Sequence, residues 1–422
     1  MNGNGSKIGL ACAGGALEGA FYEIGVLCAL ERSIAGMDLT RLDIYVGVSA
    51  GAIMASCLAN GIPPRWIRKA VLQQQAEPDL NLRADVLFHP ALREYGRRAL
   101  EIPGAAFRAV SHWLARPQDI SLFGAFMELG RGLPVGLFDG GPFERYLAHV
   151  FTTHGRTNAF AELPGVLRVL AVDLDTSEAT LFGGPETHHV PISKAVQASA
   201  ALPPLFAPVE IDGRYYIDGV ARRTLHASAA LEQGADLLFC INPIAPVNLR
   251  AAGAEGECVH PRLAELGLPA VFSQMFRTMI HSRMRTGFRN YEYEYPGADV
   301  ILLEPEPSDH TLFFSNVFSF ANRYHVIQHA CEATRRYLLQ HAGRLEPMLA
   351  RHGLSLRWSE LAEAAAPLPA PLPETVSPWL TMAEVVDGTR AAVERLERVL
   401  QRLAATPAEP AGGSNGNGGG GA

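Results

Sequence analysis

A chain of 422 residues with 48% hydrophobic and 19% charged residues can bury a sizeable core, and its length suggests two or three domains. The formal net charge of -7 argues against a general nucleic-acid binder, which needs a basic face for phosphates, and leaves room only for a local basic surface. The six cysteines (Cys12, Cys28, Cys57, Cys240, Cys258 and Cys331) have neither CxxC nor Cys/His metal spacing, and several lie in apolar runs. That is the pattern of buried, reduced thiols in a cytoplasmic protein, and no metal or organic cofactor is expected.

The opening MNGNGSKIGLACAGG has one lysine and then a short apolar run broken by glycines, which reads as a strand entering a loop and not as a signal peptide. No run approaches about 18 uninterrupted apolar residues, so no transmembrane helix is expected, although attachment to a membrane surface stays open. KIGLACA ends at Gly14-Gly15. GAFYEIGVLCALERS then puts Ile24, Leu27, Cys28 and Leu30 near one helical face. LDIYVGV is a second strand, and AGAIMASCLANG is a helix ended by Gly61 and Pro63-Pro64. Two strands joined by a crossover helix imply a parallel pair in a layered α/β fold.

Residues from about 65 to 145 differ in character. Helical segments carrying Trp66, Phe88, Phe107, Trp113, Phe123 and Phe126 are broken by Pro90, Pro103, Pro117 and Pro134. They form an inserted helical region that either caps a site or adds a plain helical layer. The α/β pattern resumes in GVLRVLAVDLDTSEATLFG, two strands with a polar turn, followed by the short helix AVQASAALPPLF stopped at Pro203-Pro204. APVEIDGRYYIDGV is a hairpin, LHASAALEQG a helix, DLLFCINP and ADVILLEPEP strands, and RYHVIQHACEATRRYLLQHA a helix. Within 268–290, Phe272, Met275, Phe276, Met279 and Ile280 alternate with Arg277, Arg283, Arg285 and Arg289. Such a helix suits a membrane surface or greasy channel, or else a core-facing helix with a solvated arginine face.

A domain spanning 1–360 is therefore expected to precede a proline-rich linker, 361–378, containing APLPAPLPETVSP. In 379–405, Val386, Val393, Leu396, Leu400 and Leu403 mark one apolar stripe, and 383–403 could dock a partner helix or a second copy. The glycine-rich tail 406–422 cannot bury anything and is expected to be disordered.

Three local features carry chemistry. AGGALEG, directly after the first strand, is a glycine turn opening a helix, whose unpaired N–H groups can hold phosphate or an oxyanion. The spacing is not G-x-G-x-x-G and the Walker lysine-serine pair is missing, which argues against a nucleotide. G-V-S-A-G follows an apolar strand, so Gly47 and Gly51 leave room for the tight turn that would expose Ser49 as a nucleophile. In RYYIDGV, Asp218 sits at a strand end before a glycine, as a turn former or as a carboxylate able to take a serine proton. None of the 14 histidines lies in a diagnostic context.

Taken together, these residues resemble the patatin-like phospholipases. Gly14, Gly15 and Ala16 fall on the family's three loop glycines, Gly19 on the closing glycine, Ser49 on the nucleophile and Asp218 on the catalytic acid. GVLCALE, AVDLDTSEATLF and ASAALPPLFAPVEIDGRYYIDG resemble family segments in order and spacing, so the likeness covers roughly residues 7–245. It implies a three-layer α/β sandwich with a mostly parallel central sheet, carrying the helical insertion and C-terminal helices. It further implies a Ser–Asp dyad that cleaves acyl esters of phospholipid or another lipid, with Gly14, Gly15 and Ala16 forming the oxyanion hole. Two departures stand out: the loop has Glu18 at its Arg/Lys position and Ala16 as its third glycine, and, more mildly, Val220 ends the Asp-Gly-Gly/Ala motif. Glu18 and Ala16 leave open a non-catalytic lipid-binding or scaffold protein of the same fold; within enzymes, the alternative is an intracellular esterase or polyhydroxyalkanoate depolymerase.

Overall fold

The computed structural model describes residues 5–72, 80–82, 84–92, 94–96, 98, 134–249, 262–309 and 322–362. Phe107, Trp113, Phe123, Phe126 and Cys258, most of the expected insertion, and everything expected of 363–422 lie outside the described residues.

The chain begins with β1 (Ile8–Cys12), α1 (Ala16–Ser33), β2 (Ile34–Ala35), β3 (Ile44–Val48), α2 (Ala50–Ala59), α3 (Pro64–Val71) and α4 (Ala84–Leu87). It continues through α5 (Gly141–Thr152), β4 (Val166–Asp173), β5 (Ala179–Phe182), α6 (Ile192–Ser199), β6 (Val209–Ile211), β7 (Arg214–Asp218), α7 (Ala227–Glu232) and β8 (Leu237–Ile241). Next come α8 (Leu268–Glu294), β9 (Asp299–Leu303), α9 (Arg323–Gln340), α10 (Ala342–Arg351), β10 (Ser355–Leu356) and α11 (Trp358–Ala362). This last helix runs into the stretch expected to be linker from 361.

The main sheet runs β6-β7-β4-β3-β1-β8-β9, with β5 also paired to β4. Strands β4, β3, β1, β8 and β9 are mutually parallel, whereas β5 and β7 pair antiparallel with β4, and β6 pairs antiparallel with β7. Side-chain alternation explains why helices cover both faces. Ile8, Leu10 and Cys12 of β1, Tyr45 of β3 and Leu237, Phe239 and Ile241 of β8 point into one core with α1, α2, α6 and α9. Ala11, Ile44, Val46, Leu238 and Cys240 point into a second core with α7 and α8. The result is helices, a mostly parallel sheet and helices again.

β4 sets the geometry of the site. One edge of its first half pairs with β3, where Val48 is registered to Leu170. The other edge carries β5 along Val169–Val172. β7 must therefore take the edge that β3 has vacated, and its last residue, Asp218, is registered to Ala171. Val48 and Asp218 thus sit against consecutive residues of one strand, and the chain leaves β3 at Ser49.

Candidate active site

Ser49 links β3 directly to α2 with φ 54° and ψ −121°, a left-handed conformation that costs a non-glycine residue about 1–3 kcal/mol. The turn survives because its surroundings hold it. A side chain at Gly51 would strike the Cys12 carbonyl, and one at Gly47 would strike the backbone of Ala52. The Ser49 N–H donates to Ser199 Oγ (2.8 Å), whose hydroxyl donates to the Leu170 carbonyl (2.5 Å). Ser199 is a fully buried support on α6 that no motif marks; only its place in the segment before Pro203-Pro204 hinted at it.

The Ser49 hydroxyl donates to Asp218 Oδ2 at 2.6 Å. Asp218 Oδ1 accepts the Val220 N–H at 2.9 Å, and the Asp218 N–H donates to the Ala201 carbonyl at 3.0 Å. The aspartate is both turn former and serine partner. It is 1% exposed, and burial pushes its carboxyl up to about 7, opposed by the hydrogen bonds from Ser49 and Val220. A carboxyl that ionises near neutrality suits proton transfer from a hydroxyl.

The glycine turn packs against the same spot. A Cβ on Gly14 would overlap the Val220 methyl and come within 3.0 Å of Ser49 Cβ, so the turn can approach the serine only as glycine. Of the three N–H groups expected to face an oxyanion, that of Gly14 is taken, donating to the Thr224 carbonyl at 3.0 Å. This narrows the expected set. Gly15 and Ala16, at the start of α1, keep N–H groups without an acceptor among the described residues, as the first turn of a helix must. Ala16 adopts φ 53°, which explains physically why a glycine suits that position.

Glu18, where a basic residue was expected, is buried on the first turn of α1. Its Oε2 lies 3.8 Å from Nη2 of Arg277, on the inward side of α8, and Arg277 Nη1 donates to the Ala245 carbonyl at 3.3 Å. An arginine from another helix thus stands beside the acid that occupies the loop's basic position. Burial pushes the Glu18 carboxyl up to about 8; Arg277 opposes this and Asp309 adds to it. No sequence spacing could have linked Arg277 to Glu18.

Ser49 and Asp218 open into a pocket whose walls are otherwise mostly apolar, including Leu17, Ile53, Leu87, Phe88, Phe143 and Phe206. Leu87 and Phe88 come from the expected helical insertion, so its described part contributes directly to the pocket. Phe138 links the two sides, with ring centroids 5.2 Å from Phe88 and 5.9 Å from Phe206. The other residues bonded to the pair come from the backbone or Ser199, and no histidine takes part among the described residues.

Fold and site together define a three-layer α/β protein with a serine elbow, a buried aspartate and a helix N-terminus converging beside an apolar pocket. The family model for patatin-like phospholipase matches residues 10–231, more than half of the chain, and the chain belongs to that family. In general terms it is a lipid acyl hydrolase. Among solved structures it is similar to VipD from Legionella pneumophila, at 15% identity and a TM-score of 0.34, over 80% of this chain and 67% of that one.

Proposed function

We propose that the protein cleaves acyl esters of phospholipids, or of lipids like them, by a Ser49–Asp218 dyad. Asp218 takes the hydroxyl proton as Ser49 attacks the ester carbonyl. The N–H groups of Gly15 and Ala16, aided by the positive end of α1, hold the tetrahedral oxyanion. The alkoxide leaves with the proton from Asp218, and water, activated by the same carboxylate, releases the acyl group from Ser49. The 2.6 Å bond between Ser49 and Asp218 at the foot of an apolar pocket carries this reading.

Covalent labelling by a fluorophosphonate, with hydrolysis of a short-chain p-nitrophenyl ester and of phosphatidylcholine, tests it. Wild type is expected to label and turn over, and Ser49→Ala to do neither. An unlabelled wild-type serine would make the protein a non-catalytic lipid binder. Turnover of polyhydroxyalkanoate but not phospholipid would move it to the depolymerases.

The substrate reaches the enzyme at a membrane surface. On α8 the apolar residues face outward: Leu268, Phe272 and Met279 are 75%, 58% and 53% exposed, and Val271, Met275 and Phe276 complete the stripe. The inward face is given to Gln274, Arg277, Ile280 and Met284, which contact the body of the domain. No helix among the described residues is long and apolar enough to cross a membrane, so the mode of attachment is a helix lying on the surface. Co-flotation with anionic vesicles at low salt is the expected result; its absence would refute the attachment without touching the dyad.

A further inference from the structure

A second cavity, of about 430 Å³, lies on the opposite face of the sheet from the catalytic pocket, between residues 220–232 and the second half of α8. Three arginines are among the residues lining it: Arg222, Arg223 and Arg283. All three residues are exposed, and none forms an ion pair with a carboxylate among the described residues. Two of them are nevertheless held in place. Arg222 donates to the Ser177 carbonyl (2.7 Å), and Arg223 donates to Ser228 Oγ (3.1 Å) and to Nδ1 of His226 (3.3 Å).

Burial, and then the Arg223 charge, push His226 down to about 4. It is therefore neutral at physiological pH and serves as an acceptor that orients Arg223. Glu232 and Glu294 also line the cavity; both bear on Tyr295, just past the end of α8. The lining retains an excess of positive charge.

Three arginines against two glutamates leave the lining one positive charge in excess, which a compact anion would offset. Guanidinium forks match the oxygens of phosphate best, since each can donate two parallel hydrogen bonds. The neighbourhood selects among phosphates. Arg283 follows Met279, the last residue of the exposed apolar stripe, by about one helical turn on the same side of α8. A lipid whose chains lie along the stripe would have its headgroup at the cavity.

We propose that this cavity binds the phosphate of an anionic phospholipid headgroup, at a site separate from Ser49. The proposal rests on the membrane attachment of α8 and is independent of the dyad chemistry. The test uses the full chain carrying Ser49→Ala, so that no lipid is consumed. Its affinity is measured for phosphatidylcholine vesicles containing phosphatidic acid, and for vesicles brought to equal surface charge with a fatty acid.

Binding to the phosphatidic acid vesicles is expected to be about tenfold tighter, the effect of one charge-assisted hydrogen-bond pair. Adding Arg223→Gln and Arg283→Gln is expected to erase that preference with an unchanged thermal denaturation midpoint. Equal affinity for the two vesicle types overturns the proposal using the parent protein alone. So does a preference that survives the substitutions in a folded variant. Calorimetry with inorganic phosphate separates the sources: saturable binding of free phosphate, with no preference between vesicles, would overturn the lipid assignment.

Discussion

Replacing Asp218 with asparagine isolates the cost of burying the proposed base. Asparagine keeps the shape and the hydrogen bonds: its Oδ1 can accept the Val220 N–H, and its amide can donate to Ser49 Oγ. Only the ionisable proton site is lost. In the wild type, burial raises the Asp218 carboxyl from its ordinary 3.8 to about 7. The folded state therefore holds its proton longer than the unfolded chain, and stability falls as pH rises between those values. A tenfold change in proton affinity is worth about 1.4 kcal/mol, so a rise from 3.8 to about 7 costs about 4 kcal/mol once the pH passes 7. The carboxylate is 1% exposed, so solvent screening removes little of it.

Urea unfolding of the wild type and of Asp218→Asn at several pH values measures the difference. Near pH 4 the two should be within about 0.5 kcal/mol. The variant should gain through pH 5 and 6, and lead by roughly 3–4 kcal/mol at pH 8, while losing esterase activity. A pH-independent difference, or a variant less stable at pH 8 than wild type, would refute the reasoning that this carboxyl is strained by burial.

Other consequences can be checked in the same preparations. If Asp218 acts as base, kcat/KM for a soluble ester should rise about tenfold per pH unit below 7 and level off above it; a flat profile between pH 5 and 8 would remove Asp218 from that role. Ala16→Gly should relieve the left-handed backbone and stabilise the protein by about 1 kcal/mol in thermal unfolding, with esterase activity at least preserved. Arg277→Met should lower kcat more than it raises KM, with an activity loss of about tenfold, because the cation beside the oxyanion turn disappears. Cys12, Cys28, Cys57 and Cys240, all buried with thiols pushed up by burial, should resist an aromatic disulfide reagent in the native protein and react once unfolded.

Much of the sheet was legible because its signals are local. The runs around Ile8–Cys12, Ile44–Val48 and Leu237–Ile241 are apolar at every position, as strands buried on both faces must be, and the glycine turns mark where they end. The pairing of Ser49 with Asp218 was suggested by motif and family likeness, while its physical cause is a register on β4 that no local pattern encodes. Glu18 looked like a defect in the loop because its partner, Arg277, is 259 positions away and reaches it only through the packing of α8. Ser199 and Thr224 were missed for a similar reason: a buried hydroxyl and a backbone carbonyl support the elbow and Gly14 from elements with no motif of their own. The direction of the α8 stripe was undecidable from periodicity, which gives a face but not what lies opposite it.

Glu18 and Arg277 also show why exchanging a loop cation for an acid need not disarm the site. Breaking a buried ion pair ordinarily costs about 3–5 kcal/mol, because it strands a charge. Here burial lifts Glu18 to about 8, so near pH 7 the carboxyl is mostly protonated and Arg277 faces a neutral acid there. Arg277 reaches the first turn of α1 through Glu18, whose Oε2 lies 3.8 Å from its Nη2. As pH rises through about 8 Glu18 ionises; because its folded pKa lies above the unfolded 4.5, the folded state loses stability between those two values and no more beyond them. Arg277→Met should therefore change unfolding free energy by less than about 1.5 kcal/mol at pH 6, where Glu18 can stay neutral, and by considerably more at pH 9. Urea titrations at the two pH values decide it: an equal loss at both would mean that Glu18 is already ionised at pH 6.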